Sequence, residues 1–505
     1  MPAARSRAAI LLRHAVTTMT ARAMIANNRT PLAGASAASR RGHRALATTT
    51  TATATTLADR ILPASRGQRL AEVDTPALIV DLDAVEHNCA RLRAELEALR
   101  LPQGSVRVRP HFKAHKTPPL AAVVRSALGA DLAPGACAQK LGEAEALIWS
   151  GALGQEPDVC ITNEVAPVPG KMRRLAALAR HGSGPRLSVV VDSAVGARAL
   201  AEALVLAEQE QESKQRHPVG VLVEVNAGQD RCGVDTPEEA AELAALVAEL
   251  ASSSRPSLLT FLGVQGYHGG IQHVRRAEER REAASRAGER TAEAVRAIEA
   301  RLGAGSVAVV TGGGSGTCLA DAAGGVYNEV QPGSLFFGDC DYARNEPWPV
   351  LSGSGSSSSS AASWESRWRQ ASWIATTVAS RSESRNIAVV DAGLKAVALD
   401  SGPPRVMIGG LAGGDEAMVE FRNGGDEHGV LLFPQAGTVP PGAAPELPPV
   451  GEVLRLLPGH CDPQFNLYDW VVAYRGGGAR GGGGGDWRDC RVEGVWSVAA
   501  RGPGT

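Results

Sequence analysis

The apolar residues follow two patterns along the chain, and the first of them predicts an α/β domain. From Leu70 to Tyr342, short apolar runs alternate with helical stretches rich in Ala, Leu, Glu and Arg, as in parallel βαβ units. After a first strand at Ala77–Val80, the clearest runs are Val106–Val108, Val159–Ile161, Leu187–Val191, Val219–Val225, Phe261–Gln265, Val307–Val310 and Leu335–Phe337, with Asp131–Cys137 as a weaker eighth candidate. About eight such units predict an N-terminal TIM-type (β/α)8 barrel over residues 70–342, although the length also permits a doubly wound sheet.

The second pattern begins after Tyr342, where helical periodicity fades and short apolar runs are broken by Gly and Pro. The predicted strands are Ile387–Asp391, Ala417–Phe421, Val430–Phe433, Glu452–Leu457 and Trp470–Tyr474. A C-terminal, mostly β domain over residues 343–505 follows from them. Its Ser-rich insert at 352–363 and Gly-rich insert at 476–485 cannot bury a core, so both are predicted to be surface loops.

The first 58 residues differ in composition from the rest of the chain. They contain eight Arg, many Ala, Ser and Thr, and no Asp or Glu before Asp59. This composition is typical of an organellar transit peptide, for a mitochondrion or a chloroplast. A disordered low-complexity tail is the alternative interpretation.

The composition of the chain argues against nucleic-acid and membrane partners. The formal net charge of −1 argues against a nucleic-acid or anionic-membrane partner. The chain has no apolar run of about 18 residues, the length that a membrane helix needs. The eight cysteines are scattered without a C-x-x-C pair, which favours a reducing compartment and buried thiols.

The strongest chemical signal is the segment Arg109-Pro-His-Phe-Lys-Ala-His-Lys116, directly after a predicted strand. Residues just past the C-terminal end of a barrel strand face the active site. Lys113 is flanked there by His111, His115 and Lys116. Crowding by cationic groups lowers the pKa of a lysine amine, which could then attack an aldehyde. A basic surface loop is the alternative.

A glycine-rich stretch, Thr311-Gly-Gly-Gly-Ser-Gly-Thr317, follows another predicted strand late in the barrel. Glycines let backbone N–H groups approach an anion, and the hydroxyl groups add donors. A phosphate site is therefore predicted, with Thr311, Gly313, Gly314, Ser315, Gly316 and Thr317 as its residues. An ordinary glycine-rich turn would look the same.

A third signal lies in the β domain, at His460-Cys461-Asp462. In an extended segment, residues 460 and 462 point to the same side and Cys461 points to the other. One imidazole nitrogen and one carboxylate, completed by water, suit Mn²⁺ or Mg²⁺ better than a thiolate-rich zinc site would. The alternative is a turn in which Asp462 caps and His460 packs.

Three further residues are predicted to face the same pocket. Arg231 and Tyr267 each follow a strand, and both are predicted to lie near the ring of a bound cofactor, with Tyr267 placed to contact it. His273 precedes a long predicted helix over Val274–Leu302, where the helix dipole would keep its imidazole neutral and able to accept a proton. Packing or capping is the alternative role for each of them.

Together these segments resemble the fold-type III pyridoxal 5′-phosphate (PLP) enzymes related to alanine racemase, in the branch of the D-threonine aldolases and D-serine dehydratases. The resemblance runs from about Asp74 to Gly502, and the segment 109–116 is the most specific to this branch. It implies that Lys113 binds PLP covalently, that the stretch 311–317 holds the phosphate, and that the protein is a homodimer.

The C-terminal motif separates the members of this branch. Its dehydratases carry His-x-Cys and bind zinc, whereas its aldolases carry His-x-Asp, as His460 and Asp462 do here, and use Mn²⁺ or a similar cation. The stretch 267–273 also resembles the corresponding segment of the aldolases, in which the last histidine, here His273, is a proposed base. The resemblance implies a lyase that cleaves D-threonine and related D-β-hydroxy-α-amino acids to glycine and an aldehyde. A D-serine or D-threo-3-hydroxyaspartate dehydratase and a non-enzymatic PLP-binding protein remain alternatives.

Overall fold

The computed structural model describes residues 62–100, 104, 106–182, 184–210, 217–253, 257–348, 364–408, 419–434, 446–476 and 486–503. The predicted transit peptide and the insert at 352–363 lie outside these residues, as does the insert at 476–485 except for Gly476. From Pro63 onward, the described residues belong to one compact unit. None of the helices in the described segments is long and apolar enough to cross a membrane.

The first strand, β1 (Ala77–Asp81), and the first helix, α1 (Leu82–Ala98), lead into an eight-stranded parallel sheet within the described residues. Its strands are β2 (Arg107–Val108), β3 (Ala136–Ala138), β4 (Asp158–Ile161), β5 (Arg186–Val191), β6 (Val219–Glu224), β7 (Leu259–Gly266), β8 (Val309–Gly312) and β9 (Glu329–Val330). The crossover helices are α2 (Pro118–Leu128), α3 (Leu141–Trp149), α4 (Pro169–Leu178), α5 (Ala194–Glu210), α6 (Pro237–Ser253), α7 (Ala277–Leu302) and α8 (Cys318–Ala323).

The strand order of this sheet is β2-β9-β8-β7-β6-β5-β4-β3, and a parallel bridge between His111 and Cys137 joins its two ends. The predicted TIM-type barrel is confirmed. Its interior is filled by small and branched side chains, including Cys160, Val190 and Leu222. All strands point the same way, so the loops that follow them share one mouth.

One predicted barrel strand is wrong. The run Leu335–Phe337 falls in a 3-10 turn, Ser334–Phe336, and β9 takes its place in the barrel. An apolar run of three residues does not distinguish a strand from a buried turn, because both hide their side chains. The weaker candidate, Asp131–Cys137, contains only the first two residues of β3.

The predicted C-terminal β domain is confirmed as a nine-stranded sheet among the described residues. It consists of β1 together with β10 (Ser372–Ser382), β11 (Ile387–Val390), β12 (Arg405–Met407), β13 (Glu420–Asn423), β14 (Gly429–Leu432), β15 (Val453–Leu457), β16 (Trp470–Arg475) and β17 (Arg491–Ser497). Three short helices accompany it: α9 (Cys340–Ala343), α10 (Trp364–Arg367) and α11 (Cys461–Asn466).

The central position of β1 in this second sheet differs from the predicted domain boundary at residue 70. β1 pairs antiparallel with β10 and parallel with β16, although it precedes the barrel in the chain. A buried cluster joins the two sheets, in which Leu78 and Val80 pack with Phe336 and Phe465. Each such side chain contributes about 1.5–3 kcal/mol when it leaves water. This packing holds α11 against the mouth of the barrel.

Candidate active site

Lys113 lies in a 3-10 helix, Phe112–Ala114, directly after β2. Its position is set by His111, whose Nδ1 accepts a hydrogen bond from the backbone N–H of Lys113 at 3.4 Å. The Lys113 amine forms an ion pair with the carboxylate of Asp462 in α11. Residues that are far apart in sequence therefore meet at the barrel mouth.

The predicted cause of a low lysine pKa is wrong. Burial lowers the pKa of both His111 and His115 to about 3, so neither ring carries a charge that would depress the amine. Lys116 is turned away and donates to Oδ1 of Asn466 at 2.9 Å. Burial lowers the pKa of Lys113, but the carboxylate of Asp462 outweighs it and raises that pKa above its usual range.

The segment 460–462 was predicted to be extended, but in the structure it forms the start of a helix. His460 is the N-cap residue of α11, and Asp462 lies in its first turn. Pro463 follows in the same turn, where a missing N–H costs nothing because the first helical N–H groups have no partner within the helix. His460 Nε2 still lies 4.0 Å from Oδ1 of Asp462.

Buried neighbours hold both of these side chains. His460 Nδ1 is hydrogen-bonded to Oδ2 of Asp339 at 2.8 Å, and Ser334 Oγ donates to Oδ1 of Asp462 at 2.8 Å. Burial lowers the pKa of His460, but the Asp339 hydrogen bond and the charge of Asp462 outweigh it and raise that pKa to about 9. The imidazole is thus oriented through Nδ1, which leaves Nε2 facing the carboxylate.

These two residues fit a divalent cation. Ligands about 2.1 Å from one ion lie at most about 4.2 Å apart, which the separation of His460 Nε2 and Asp462 Oδ1 satisfies. Asp339, His460 and Cys461 also lie within 4.8 Å of one another. However, Asp339 Oδ2 already accepts from both His460 and the N–H of Cys461. Burial raises the pKa of the Cys461 thiol well above its usual range, so it remains a poor ligand.

The glycine-rich stretch forms a tight cradle beside this site. Thr311 lies within β8, and its hydroxyl accepts from Nε2 of Gln331, so it is a strand residue of the barrel. A Cβ on Gly314 would lie 2.7 Å from Oε1 of Gln272 and 3.1 Å from the hydroxyl of Tyr267, and one on Gly316 would clash with the main-chain oxygen of Gln272. Only glycine fits at these two positions, because the loop passes directly against Gln272.

Hydroxyl groups connect this cradle to the lysine turn. Ser315 Oγ accepts from the N–H groups of Gly333 and Leu335, both at 3.1 Å, and Thr317 Oγ1 accepts from Nε2 of Gln272 at 2.9 Å. Gly333 packs against His111, next to Lys113. The glycine-rich loop and the turn that carries Lys113 are therefore linked through Gly333.

Tyr267 and Arg231 occupy different parts of the mouth. Tyr267 follows β7, and burial raises its pKa while the nearby charge of Lys113 opposes that rise. Its hydroxyl faces the Gly314 cradle, so it lies between amine and loop. Arg231 follows β6 and is exposed.

His273 is positioned by a different element from the one predicted. It ends a 3-10 helix, Gly269–His273, and α7 begins only at Ala277, so no long helix starts at its ring. Burial lowers the pKa of His273, and the positive charge of His460 adds to this effect, whereas Asp341 opposes it. The predicted neutral state agrees with this direction, but its cause is burial. The His273 and His460 rings lie 6.0 Å apart.

Sequence reasoning missed three residues that shape the site: Gln272, Asp339 and Asp341. Asp339 and Asp341 flank Cys340 immediately after the barrel, and each lies next to an imidazole. Two acidic residues in a Gly-Asp-Cys-Asp-Tyr segment were a weak signal, because exposed turns have similar composition. Only the structure shows that both carboxylates are buried next to a histidine.

Comparisons with known proteins agree with this geometry. The model of the alanine racemase N-terminal domain family matches residues 80–341, and the putative serine dehydratase domain matches residues 371–474. A 3-hydroxy-D-aspartate aldolase of Paracoccus denitrificans (strain Pd 1222) is 36% identical over 88% of this chain and 96% of its own length. The D-threonine aldolase of an Arthrobacter species is 35% identical over 87% of this chain and 96% of its length.

The chain belongs to the alanine racemase-like PLP family, in the D-threonine aldolase branch. A solved structure, the D-threonine aldolase from Filomicrobium marinum, superposes with a TM-score of 0.68 at 35% identity and covers 87% of this chain and 99% of its own. This member of the aldolase branch is accordingly a lyase, and its fold is the one that binds PLP in that family.

Proposed function

We propose that the protein is a PLP- and divalent-metal-dependent aldolase that cleaves D-threonine and related D-β-hydroxy-α-amino acids to glycine and an aldehyde. The observation that carries this proposal is the contact between the Lys113 amine and Asp462, next to His460. It brings the cofactor lysine and a metal-ligand pair within the length of one small amino acid.

Residues of the barrel would hold PLP. Lys113 would bind its aldehyde, the Gly313–Thr317 loop its phosphate, and Tyr267 would contact its ring. PLP supplies an electron-accepting ring that stabilises charge left on the substrate Cα when a bond to it breaks. The loop and Lys113 would hold that ring at the barrel mouth, next to the short helix α11 that carries Asp462.

Residues of the C-terminal domain and His273 would act on the substrate hydroxyl. His460 and Asp462 would hold Mn²⁺, or Mg²⁺ in its place, and such an ion lowers the pKa of a bound hydroxyl. His273, kept neutral by burial, is suited to accept the hydroxyl proton. Removal of that proton favours cleavage between Cα and Cβ: the hydroxyl-bearing carbon leaves as an aldehyde, and Cα takes up a proton to give glycine. Base and metal ligands lie side by side, which favours the D configuration at Cα, where the bond to Cβ breaks.

Product analysis tests this function. We expect D-threonine to give glycine and acetaldehyde, L-threonine to give neither, and EDTA to abolish turnover until Mn²⁺ is added back. Formation of 2-oxobutanoate and ammonia from D-threonine would instead identify a dehydratase. Bound PLP without turnover of any D-amino acid would point to a non-enzymatic carrier, and turnover that survives EDTA would refute the metal role.

A further inference from the structure

A short acidic segment lies behind both imidazoles of the site. It runs from Asp339 to Tyr342, comprises the N-cap residue and first residues of α9, and is called the support segment below. The side chain of Asp339 is 0% exposed and that of Asp341 is 9% exposed. Buried carboxylates are costly without partners, so what they contact defines what they do.

Both carboxylate oxygens of Asp339 accept hydrogen bonds, and one of these bonds comes from the predicted metal ligand His460. Its Oδ2 accepts from His460 Nδ1 at 2.8 Å and from the backbone N–H of Cys461 at 3.0 Å, and its Oδ1 accepts from the N–H of Tyr342 at 2.8 Å. A carboxylate bound to Nδ1 of a histidine fixes its ring orientation and makes Nε2 a better metal ligand.

Asp341 lies against the other imidazole. Its Oδ2 is 2.6 Å from His273 Nδ1, although it lies off the direction of the ring N–H bond. Its Oδ1 is paired with Arg275, which also donates to the main-chain oxygen of Asp341 at 2.6 Å and to Oδ1 of Asn345 at 2.8 Å. The carboxylate is thereby held in place next to His273.

Main-chain bonds attach the support segment to the segment that leads to His460. The N–H groups of Cys340 and Asp341 donate to the carbonyl oxygens of Pro458 and Gly459, each at 3.0 Å. On the other side, Asn345 Nδ2 donates to the main-chain oxygen of Gln272, the residue before His273, at 2.9 Å.

Tyr342 completes the arrangement between the two rings. Its ring centroid lies 4.8 Å from that of His273 and 6.1 Å from that of His460. A displacement of the segment would therefore move both imidazoles together.

We infer that the support segment sets the orientation of both imidazoles, with Asp339 as the positioning residue of His460 and Asp341 as that of His273. Both rings are contacted at Nδ1, so both Nε2 atoms remain available, one for the cation and one for the substrate hydroxyl. This inference rests on the proposed function, because it assigns the imidazoles the roles given there.

Two variants of the full-length protein with bound PLP separate the two roles. For Asp339→Asn, we expect the Kd for Mn²⁺, titrated by the EPR signal of the free ion, to rise by about 10- to 100-fold. For Asp341→Asn, we expect a Mn²⁺ Kd within about twofold of wild type, and a kcat at saturating Mn²⁺ that falls by about 10- to 100-fold with little change in KM. Asp131→Asn, which removes an exposed carboxylate paired with Arg93, should change neither quantity.

Wild-type Mn²⁺ affinity in Asp339→Asn, or wild-type kcat in Asp341→Asn, would overturn the inference. If either asparagine variant does not fold, Asp339→Glu or Asp341→Glu takes its place, because the charge is retained while the oxygen atoms are displaced. The cofactor absorbance of each variant should match wild type, and each variant is measured well below its own thermal midpoint. A wild-type protein that binds no Mn²⁺ would refute the proposed function itself. Equal Mn²⁺ binding by the wild type and Asp339→Asn would refute only the positioning role of Asp339.

Discussion

At the scale of single residues, the site depends on pairs of side chains whose members are distant in the chain. Lys113 stood out in the sequence because its neighbours are unusual, and the glycine-rich stretch stood out for its composition. The pairings that decide the chemistry carry no local signal: Asp462 was singled out as a metal ligand but not as the partner of the amine, and Asp339, which holds His460, was not singled out at all. The pKa of Lys113 was accordingly predicted in the wrong direction, since only the fold brings a carboxylate to it.

The role of Lys113 gives a direct test. Lys113→Ala should lose the visible absorbance band of covalently bound PLP together with aldolase activity, because it removes the amine that lies against Asp462. Lys116→Gln is the matched control, since its amine binds Asn466 outside the site and its loss should leave the band intact. A Lys113→Ala protein that keeps the band would rule out this lysine.

At the scale of elements, strands with strong apolar runs were predictable and short or polar ones were not. β10 was missed because Ala, Ser and Thr make up much of its sequence, although its first five residues are buried. α11 was taken for an extended segment, although Pro463 one residue after Asp462 is a usual feature of a first helical turn. This error leaves the site recognisable, because His460 Nε2 and Asp462 Oδ1 still lie 4.0 Å apart.

The loop that follows β8 allows a prediction at this scale. Gly316→Ala forces a Cβ against the main chain of Gln272, so we expect a penalty of about 1–3 kcal/mol, seen as weaker PLP binding or a lower thermal midpoint. Gly324→Ala, at the end of α8, is the control, because its Cβ would lie an ordinary 3.4 Å from the oxygen of Ala320. Titration with PLP and thermal unfolding compare the two variants. Equal PLP affinity and equal thermal midpoints for Gly316→Ala and Gly324→Ala would show that the loop can accommodate a Cβ at position 316.

At the scale of the whole molecule, neutral buried imidazoles link folding stability to pH. Burial lowers the pKa of His115 from 6.5 to about 3 in the folded protein, whereas the unfolded chain keeps the ordinary value. Between these two values the unfolded state binds more protons than the folded state. The contribution of His115 is therefore complete above pH 6.5 and is lost as the pH falls towards 3.

His115→Asn tests this linkage, because the Asn Oδ1 can replace the ring Nδ1 that accepts from Thr117. Between pH 7.5 and 5.5, the free energy of unfolding of the wild type should fall by about 1.4 kcal/mol more than that of the variant. Urea denaturation of both proteins at the two pH values measures the difference. An equal fall in both would mean that His115 is protonated in the folded state.

The arrangement of the two sheets was the feature least accessible to sequence reasoning. The number of strands and their parallel direction followed from alternation with helices, and the β-rich C-terminal region followed from its loss of helical periodicity. The assignment of β1 to the second sheet depends on pairing across most of the chain, and no local pattern encodes a partner at that distance.

That placement has a consequence for the order of events at the ribosome. Ile79 is made early, yet its partners Trp373 and Val472 emerge roughly 290 and 390 residues later, or about 20–80 s later for the second at usual rates of translation. The barrel can close before then, whereas β1 must wait for both neighbours. In the nascent protein, β1 therefore has no neighbour until β10 is made and keeps one unpaired edge until β16 follows, which makes the C-terminal sheet the last part to assemble.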